Sequence, residues 1–537
     1  MKSTTKIIGT CITILFLFSQ CKHSEYNAKT PMMGWSSWNT FRVDINENLI
    51  KETADAMVEK GLKAAGYTFV NIDDGYFGGR DTLGNLQYHT GKFPNGMKAV
   101  ADYIHAKGLR AGLYSEAGEN TCGSIYDNDR YGVGSGLYGY ENQDCELFFN
   151  QWGYDYIKVD YCGAEVQGLD EKTQYTKIRN AITNSGKEGI RFNVCRWMFP
   201  GTWVTEIADS WRISYDIANK FDGNLGIFDI VEKNLYMSAY ASPGHFNDMD
   251  MMQIGRNTLT IDEEKSHFGL WCILCSPLMI GCDLRTIPQR TLDIITNREI
   301  IALNQDPLGL QAQVVSRSGK CIVLAKQIET AQGKVRAVAL FNGENTAHSM
   351  RINFNDIQLS GNVTVRDLWT KKDVGSFTDY YEISIPAHGT AMLRVEGESS
   401  FDKTAFEGED AFLNNFTAIN PVNNARVSEK SNASGGHIIS RLGGSPDNWA
   451  EFRNVHSSTS GEYELTVYYY SAEERSLSVI INDKEHIMAN LNTNDWDTQG
   501  TETILIKLRK GNNVIRLTNP TEHAPDIDRI ELKLITM

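Results

Sequence analysis

The chain reads as a (β/α)8 barrel followed by an antiparallel β-sandwich and a second, C-terminal β-sandwich module. Three observations predict this. Eight short apolar runs alternate with amphipathic helical patterns between Met32 and Gly281, polar and aromatic residues gather at the C-terminal ends of those runs, and after Gly309 the rhythm changes to short strands of period two. The 537 residues exceed one ordinary domain, and 41% hydrophobic content is enough to build several cores. A formal net charge of −15 argues against nucleic acid or anionic membrane surfaces and suits a neutral ligand. No Gly-rich phosphate loop and no Cys/His cluster with zinc spacing is present.

At the N-terminus, Lys2 and Lys6 precede an apolar run over 7–18 that is too short to span a membrane comfortably. It ends Leu17-Phe18-Ser19-Gln20-Cys21 and resembles a bacterial lipoprotein signal, although Phe18 and Gln20 depart from the usual pattern. Residues 1–21 are therefore expected to be a signal, with a lipid anchor at Cys21 as the only membrane contact; plain secretion with Cys21 as a bystander is the alternative. The expected location is the periplasm or the cell surface. Disulfides persist in such compartments. Eight of the ten cysteines lie beyond this segment, too few for a disulfide scaffold, so one or two bridges and several core thiols are expected.

The barrel is expected over 29–309. Its strands are predicted at 33–38, 68–74, 110–117, 156–162, 191–196, 210–217, 245–251 and 275–280, with helices such as 49–65, 97–107 and 170–184 between them. A doubly wound open sheet usually has fewer strands, and a nucleotide fingerprint is missing. The most informative strand is Tyr156-Ile157-Lys158-Val159-Asp160-Tyr161-Cys162. Alternation places Lys158, Asp160 and Cys162 on one face. A nearby lysine keeps a carboxylate ionised, which suits a nucleophile, and equally suits a buried structural ion pair.

The neighbouring strand ends weight the balance towards chemistry. Trp38 closes the first, Asp73 and Asp74 the second, Tyr114 and Glu116 the third, Arg196 the fifth, Arg212 and Asp216 the sixth, Asp248 and Asp250 the seventh. Active sites of barrels lie at this end. Aromatic faces pack against pyranose C–H surfaces while carboxylates and cations bind hydroxyls, so the pattern points to a sugar pocket.

Beyond the barrel, alternating strands at 320–327, 334–342, 349–354, 363–367, 381–385 and 389–395 predict a compact sandwich over 310–396. Residues 396–403 read as a polar linker. A second all-β unit is expected over 404–537, with strands at 462–470, 476–481, 503–508 and 513–517 and turns at Asn482-Asp483 and Lys510-Gly511.

Several motifs occur together and in order: Thr30-Pro31-Met32-Met33-Gly34-Trp35, Asn71-Ile72-Asp73-Asp74-Gly75, Phe93-Pro94-Asn95-Gly96-Met97, Lys107-Gly108-Leu109, Lys158-Val159-Asp160-Tyr161-Cys162 and Asn304-Gln305-Asp306-Pro307-Leu308-Gly309. From residue 29 to 395 the chain resembles glycoside hydrolase family 27, the α-galactosidases and α-N-acetylgalactosaminidases. The resemblance implies an exo-acting, retaining hydrolase that releases terminal α-galactose from oligo- or polysaccharides without a catalytic cofactor. Asp160 would be the nucleophile and Asp216 the acid/base, a pair that retaining enzymes hold roughly 5–5.5 Å apart. Lys158 would keep Asp160 anionic while Asp216 holds its proton. Arg212 would clamp sugar hydroxyls; Trp38, Asp73, Asp74, Tyr114, Asp250 and Met251 match pocket positions; Cys122 and Cys162 match a family disulfide.

Two departures stand out. Cys195-Arg196-Trp197 carries Arg196 where galactose-preferring members carry a glutamate that reads the sugar's 2-hydroxyl. Arg196 is therefore expected either to alter recognition at C2 or to point away from the pocket. The segment 123–144 is longer than usual and is expected to shape subsites beyond the first sugar. In the C-terminal unit, Phe406-Glu407-Gly408-Glu409-Asp410, Ser434-Gly435-Gly436, Trp496-Asp497-Thr498 and Ile527-Asp528-Arg529-Ile530-Glu531-Leu532 resemble carbohydrate-binding modules of family 35 or 6. That resemblance implies a structural Ca2+ held by Glu407, Glu409 and Asp528. Two other functions stay open from sequence: a β-L-arabinopyranosidase of the same family, and a non-catalytic glycan-binding lipoprotein, which would not need both Asp160 and Asp216.

Overall fold

The structure is a computed structural model that describes residues 29–536 except Asn420 and Val422; the expected signal and Cys21 lie outside the described residues. Eight parallel strands form the first domain: β1 (Met33–Ser36), β2 (Phe69–Ile72), β3 (Arg110–Glu116), β4 (Tyr156–Asp160), β5 (Arg191–Val194), β6 (Ser210–Arg212), β7 (Phe246–Asp248) and β8 (Leu278–Ile280). They pair in chain order, with β8 returning to β1. A bridge from Met252 to Ile280 joins the end of β7 to β8 and closes the barrel. The strands are buried along nearly their whole length, as expected of a parallel sheet covered by helices on one face and packed on itself on the other.

All eight expected strands are present, but most stop short of their apolar runs. Asp73, Asp74, Arg196, Asp216 and Asp250 consequently sit in the loops past the strands, and Trp38 opens the short helix Trp38–Phe41. The helix expected over 49–65 is two pieces, Glu47–Glu59 and Leu62–Ala65, because Gly61 adopts φ 78° between them. No helix among the described residues is long and apolar enough to cross a membrane.

The second domain has a six-stranded antiparallel sheet and a two-stranded one, adding Gln313–Ser318 and Lys372–Phe377 to the expected strands. The stretch read as a linker is not one: strand Thr390–Ser400 runs through it, and Leu359 pairs with Ser400. Its polar side chains face water while its backbone completes the ladder, so composition alone misleads here. Lys326 fastens this domain to the barrel by donating to the carbonyls of Leu303 and Leu310 at 2.8 Å.

The C-terminal unit is a sandwich of six- and five-stranded sheets with its own core around Leu465, Val467, Ile515 and Ile530. Asn482 and Asp483, at φ 46° and 73°, form the tight hairpin turn expected from sequence. The unit packs directly on the barrel. Phe416 stacks on Phe199 at 5.6 Å and 18° and lies 5.9 Å from Tyr240, while Phe412 lies 5.2 Å from Tyr240. Ala418 N–H donates to Phe199 O at 2.9 Å.

Candidate active site

The loops at the C-terminal end of the barrel enclose a cavity of about 340 Å³ lined by Trp38, Asp73, Asp74, Tyr114, Lys158, Asp160 and Asp216 among others. These are seven of the residues singled out from sequence. Arg212 lies against this lining: it donates to Asp216 at 3.1 Å and pairs with Asp250 at 2.9 Å. Asp250 holds φ 76°, rare for a non-glycine residue, and accepts from Ile217 and Met251 N–H at 2.9 and 2.6 Å. Met251 packs under Trp38 with Met32, Phe69, Tyr156 and Met279. The expected disulfide joins Cys122 and Cys162, tying the start of helix Cys122–Tyr126 to the end of β4. It is the one disulfide among the described residues.

Each carboxylate is held differently. Asp73 accepts from Lys158 at 3.2 Å and from Ser36 at 3.0 Å. Asp74 accepts from the backbone N–H of Gly75 and Gly123, both at 2.7 Å, yet burial still pushes it up to about 7. Glu116 caps the N-terminus of helix Cys162–Gln167 by accepting from Cys162 and Ala164 N–H. Burial also pushes Asp160 up, to about 6; Lys158 and Arg212 oppose the shift while Asp216 and Asp73 add to it. At Asp216 burial raises the pKa, but the charges of Arg212 and Lys158 and the Arg212 hydrogen bond outweigh it and hold the group below its ordinary value. The Asp216 side chain is 67% exposed, open to the cavity mouth, which favours the same direction.

Three expectations change. Lys158 does not bond Asp160: its hydrogen bonds go to Asp73, and Asp160 feels only its field. The two carboxyls are shifted opposite to the expectation that Asp216 holds the proton: burial pushes Asp160 up, while Arg212, which reaches Asp216, holds Asp216 below its ordinary value. Arg196 is not in the pocket lining. Its guanidinium donates to Glu171 at 2.7 Å and Glu165 at 3.2 Å and lies over the Tyr161 ring, among the helices outside the barrel. Of the two expected placements this is the one that points away from the pocket, tying the Arg196 loop to those helices.

The cavity also has walls that sequence reasoning missed: Arg42, Tyr126, Asp127, Trp197, Tyr215 and Leu225. Arg42 forms a bidentate pair with Asp127 at 2.6 and 2.7 Å above Trp38. Tyr126 and Asp127 come from the long 123–144 segment, which is folded against the barrel: Arg80 donates to Gly134 O, Gly136 O and Asp144. The only hints in sequence were that segment's length and the position of Trp197 and Tyr215 beside residues already suspected.

In the C-terminal unit, Glu407 Oε2, Glu409 Oε2, Asp410 Oδ1 and Asp528 Oδ1 are buried without a hydrogen-bond partner. Burial pushes Glu409 up to about 9 and Asp528 to about 6, with neighbouring carboxylates adding to both. Such crowded, unsatisfied oxygens suit a hard dication. As packed, Glu407, Glu409 and Asp528 do not each bring an oxygen within 4.8 Å of the other two.

The chain matches two family descriptions in succession, "Alpha galactosidase A" over 30–306 and "Alpha galactosidase C-terminal beta sandwich domain" over 318–395. It is 37% identical to α-galactosidase A of Cellvibrio japonicus, over 69% of this chain and 93% of that one. It is 40% identical to α-galactosidase 2 of Arabidopsis thaliana, over 68% of this chain and 90% of that one. Among solved structures, α-galactosidase I from Mortierella vinacea superposes with a TM-score of 0.64 at 31% identity, covering 70% of this chain and all of that one. A β-L-arabinopyranosidase from Geobacillus stearothermophilus, at 24% identity and TM-score 0.61 over 69% of this chain and 97% of that one, shares the fold.

Proposed function

This chain belongs to the α-galactosidases of glycoside hydrolase family 27, and from that premise we propose how its pocket works. The activity is release of terminal α-linked galactose. In our reading Asp160 attacks the anomeric carbon as the bond to the leaving oxygen breaks, and that oxygen takes the proton of Asp216. A water then gives its proton to Asp216 and its oxygen to the anomeric carbon, freeing Asp160. Trp38 offers an apolar face to the ring, while Asp73, Asp74 and Lys158 reach its hydroxyls. Raffinose, bound by a solved yeast α-galactosidase, represents the substrate class.

The observation that carries this reading is the placement of Asp160 and Asp216 on one cavity in opposite settings, Asp160 raised by burial with Asp216 adding to the shift, and Asp216 lowered by Arg212 and Lys158. The mechanism needs the proton on Asp216. Substrate favours it: a sugar covering Asp216 removes its water and engages Arg212, both of which raise Asp216. The test is Asp216→Ala with and without azide on an activated aryl α-galactoside. We expect loss of turnover on unactivated galactosides and partial azide rescue as α-galactosyl azide. Equal losses on good and poor leaving groups, without rescue, would refute the role.

Three further readings complete the proposal. Export as a lipid-anchored protein through Cys21 follows from the signal-like N-terminus. Glu407, Glu409 and Asp528 are read as ligands of a structural Ca2+, which would supply the positive charge their unsatisfied oxygens lack. The C-terminal unit is read as glycan-binding, on a cavity of about 330 Å³ where Trp496 and Arg475 offer a ring face and hydrogen-bond donors.

A further inference from the structure

Trp197 and Tyr215 stack at 6.3 Å and 18°, both lining the cavity. Tyr215 is 49% exposed, an unusual amount for a large aromatic ring beside a catalytic carboxylate. It immediately precedes Asp216, whose side chain opens to the cavity mouth. An acid that protonates the glycosidic oxygen must touch that oxygen, so whatever the oxygen carries lies on the exposed side of Asp216. That is where the aromatic pair stands.

We propose that Trp197 and Tyr215 form a leaving-group subsite, a preformed platform for a pyranose ring attached through the scissile bond. The assignment rests on Asp216 as the acid. Sugar rings stack their C–H faces on aromatic surfaces, whereas a small or flexible alkyl leaving group gains little there. On the same cavity lining Arg42 and Asp127, paired at 2.6 Å, offer donors and acceptors for the hydroxyls of that ring.

The platform is held rather than adaptable. Trp197 sits at φ 66°, in the left-handed region, and its loop is fastened on both sides. Arg196 ties one side to Glu171 and Glu165. Phe199, stacked on Phe416 and bonded to Ala418 N–H, ties the other side to the C-terminal unit. Order is therefore present before substrate arrives, which lowers the entropy lost on binding.

The experiment compares kcat/KM on an α-1,6-galactosyl-glucose disaccharide with kcat/KM on α-galactosyl fluoride, which has no ring on the leaving side. In Trp197→Ala and Tyr215→Ala the disaccharide-to-fluoride ratio should fall at least tenfold, and Trp197→Phe should restore most of it. A ratio that stays within about twofold of wild type, whether both substrates suffer equally or neither does, overturns the subsite. Fluoride turnover reports that each variant is folded. Asp216→Ala is run alongside: it should spare the fluoride and abolish the disaccharide, since fluoride departs with little protonation. If it strikes both equally the acid assignment fails; if it separates them while the aromatic variants do not, only the subsite fails.

Discussion

Replacing Asp160 with asparagine should abolish turnover and at the same time stabilise the protein at neutral pH. Burial raises the Asp160 pKa from 3.8 to about 6 despite the fields of Lys158 and Arg212, so the ionised form is the less comfortable one in the folded state. That displacement corresponds to on the order of 3 kcal/mol at pH values above it. The sign follows from proton linkage. Between about pH 4 and 6 the folded state binds a proton that the unfolded chain releases, so stability falls as pH rises through that window and stays low above it. Asparagine mimics the neutral acid and removes the loss. Thermal unfolding followed at pH 7.5 and pH 4 checks this. The Asp160→Asn variant should melt several degrees above wild type at pH 7.5, and the advantage should vanish at pH 4, where wild-type Asp160 is itself neutral. An advantage that is absent at pH 7.5, or equal at both values, would refute the electrostatic reasoning.

Other outcomes follow from the same geometry. Arg196→Ala should lower the melting temperature, because it strands Glu171 without its cation, and should leave the ratio of 2-deoxygalactoside to galactoside hydrolysis unchanged; a changed ratio would put Arg196 back at C2. Phe416→Ala should raise KM for the disaccharide several-fold with a smaller effect on kcat, through the loosened Trp197 loop, and an unaltered KM would show that loop to be self-sufficient. A chelator should lower the melting temperature of the C-terminal unit and added Ca2+ should restore it; identical melts with and without chelator would remove the ion from the account.

The barrel was legible because its signals are local. The strands are short, mostly apolar runs buried on both faces; Asp160 is the last residue of its strand and Asp216 follows the end of its own by four residues. Asp160, at the end of β4, was placed correctly for that reason. Partnership was not legible. Lys158 and Asp160 share a strand face, but Asp73 arrives from β2's loop at 3.2 Å and takes the hydrogen bonds. Arg196 likewise departed from the family pattern in sequence, yet only the helix carrying Glu171 decides where its guanidinium goes. Trp197 and Tyr215 were next to suspected residues and still unseen, since a left-handed turn at Trp197 has no signature in a Cys-Arg-Trp tripeptide. The polar strand over 396–400 was hidden by composition, because a strand end whose side chains face water reads as a linker.

The C-terminal unit is more than a tethered addition to the catalytic domain. Phe199, Tyr240, Phe412 and Phe416 form a continuous aromatic cluster across the boundary. Each favourable ring pair contributes about 0.5–1.5 kcal/mol beyond the burial of its area. Several such pairs, together with the Ala418–Phe199 hydrogen bond, oppose the independent swinging expected of a linker-borne module. Gly201, the residue after Pro200, stands at φ 140° with Phe416 O 3.6 Å from where a Cβ would lie, in ordinary contact distance. The loop gripped there is the one that carries Trp197 into the pocket. A glycan held by the C-terminal unit would therefore meet the active site at a fixed separation, and the same contact that fixes the separation also fixes the wall of the leaving-group side. Glycan binding by the C-terminal unit would thus be coupled to hydrolysis by packing, through the loop that runs from Arg196 to Gly201.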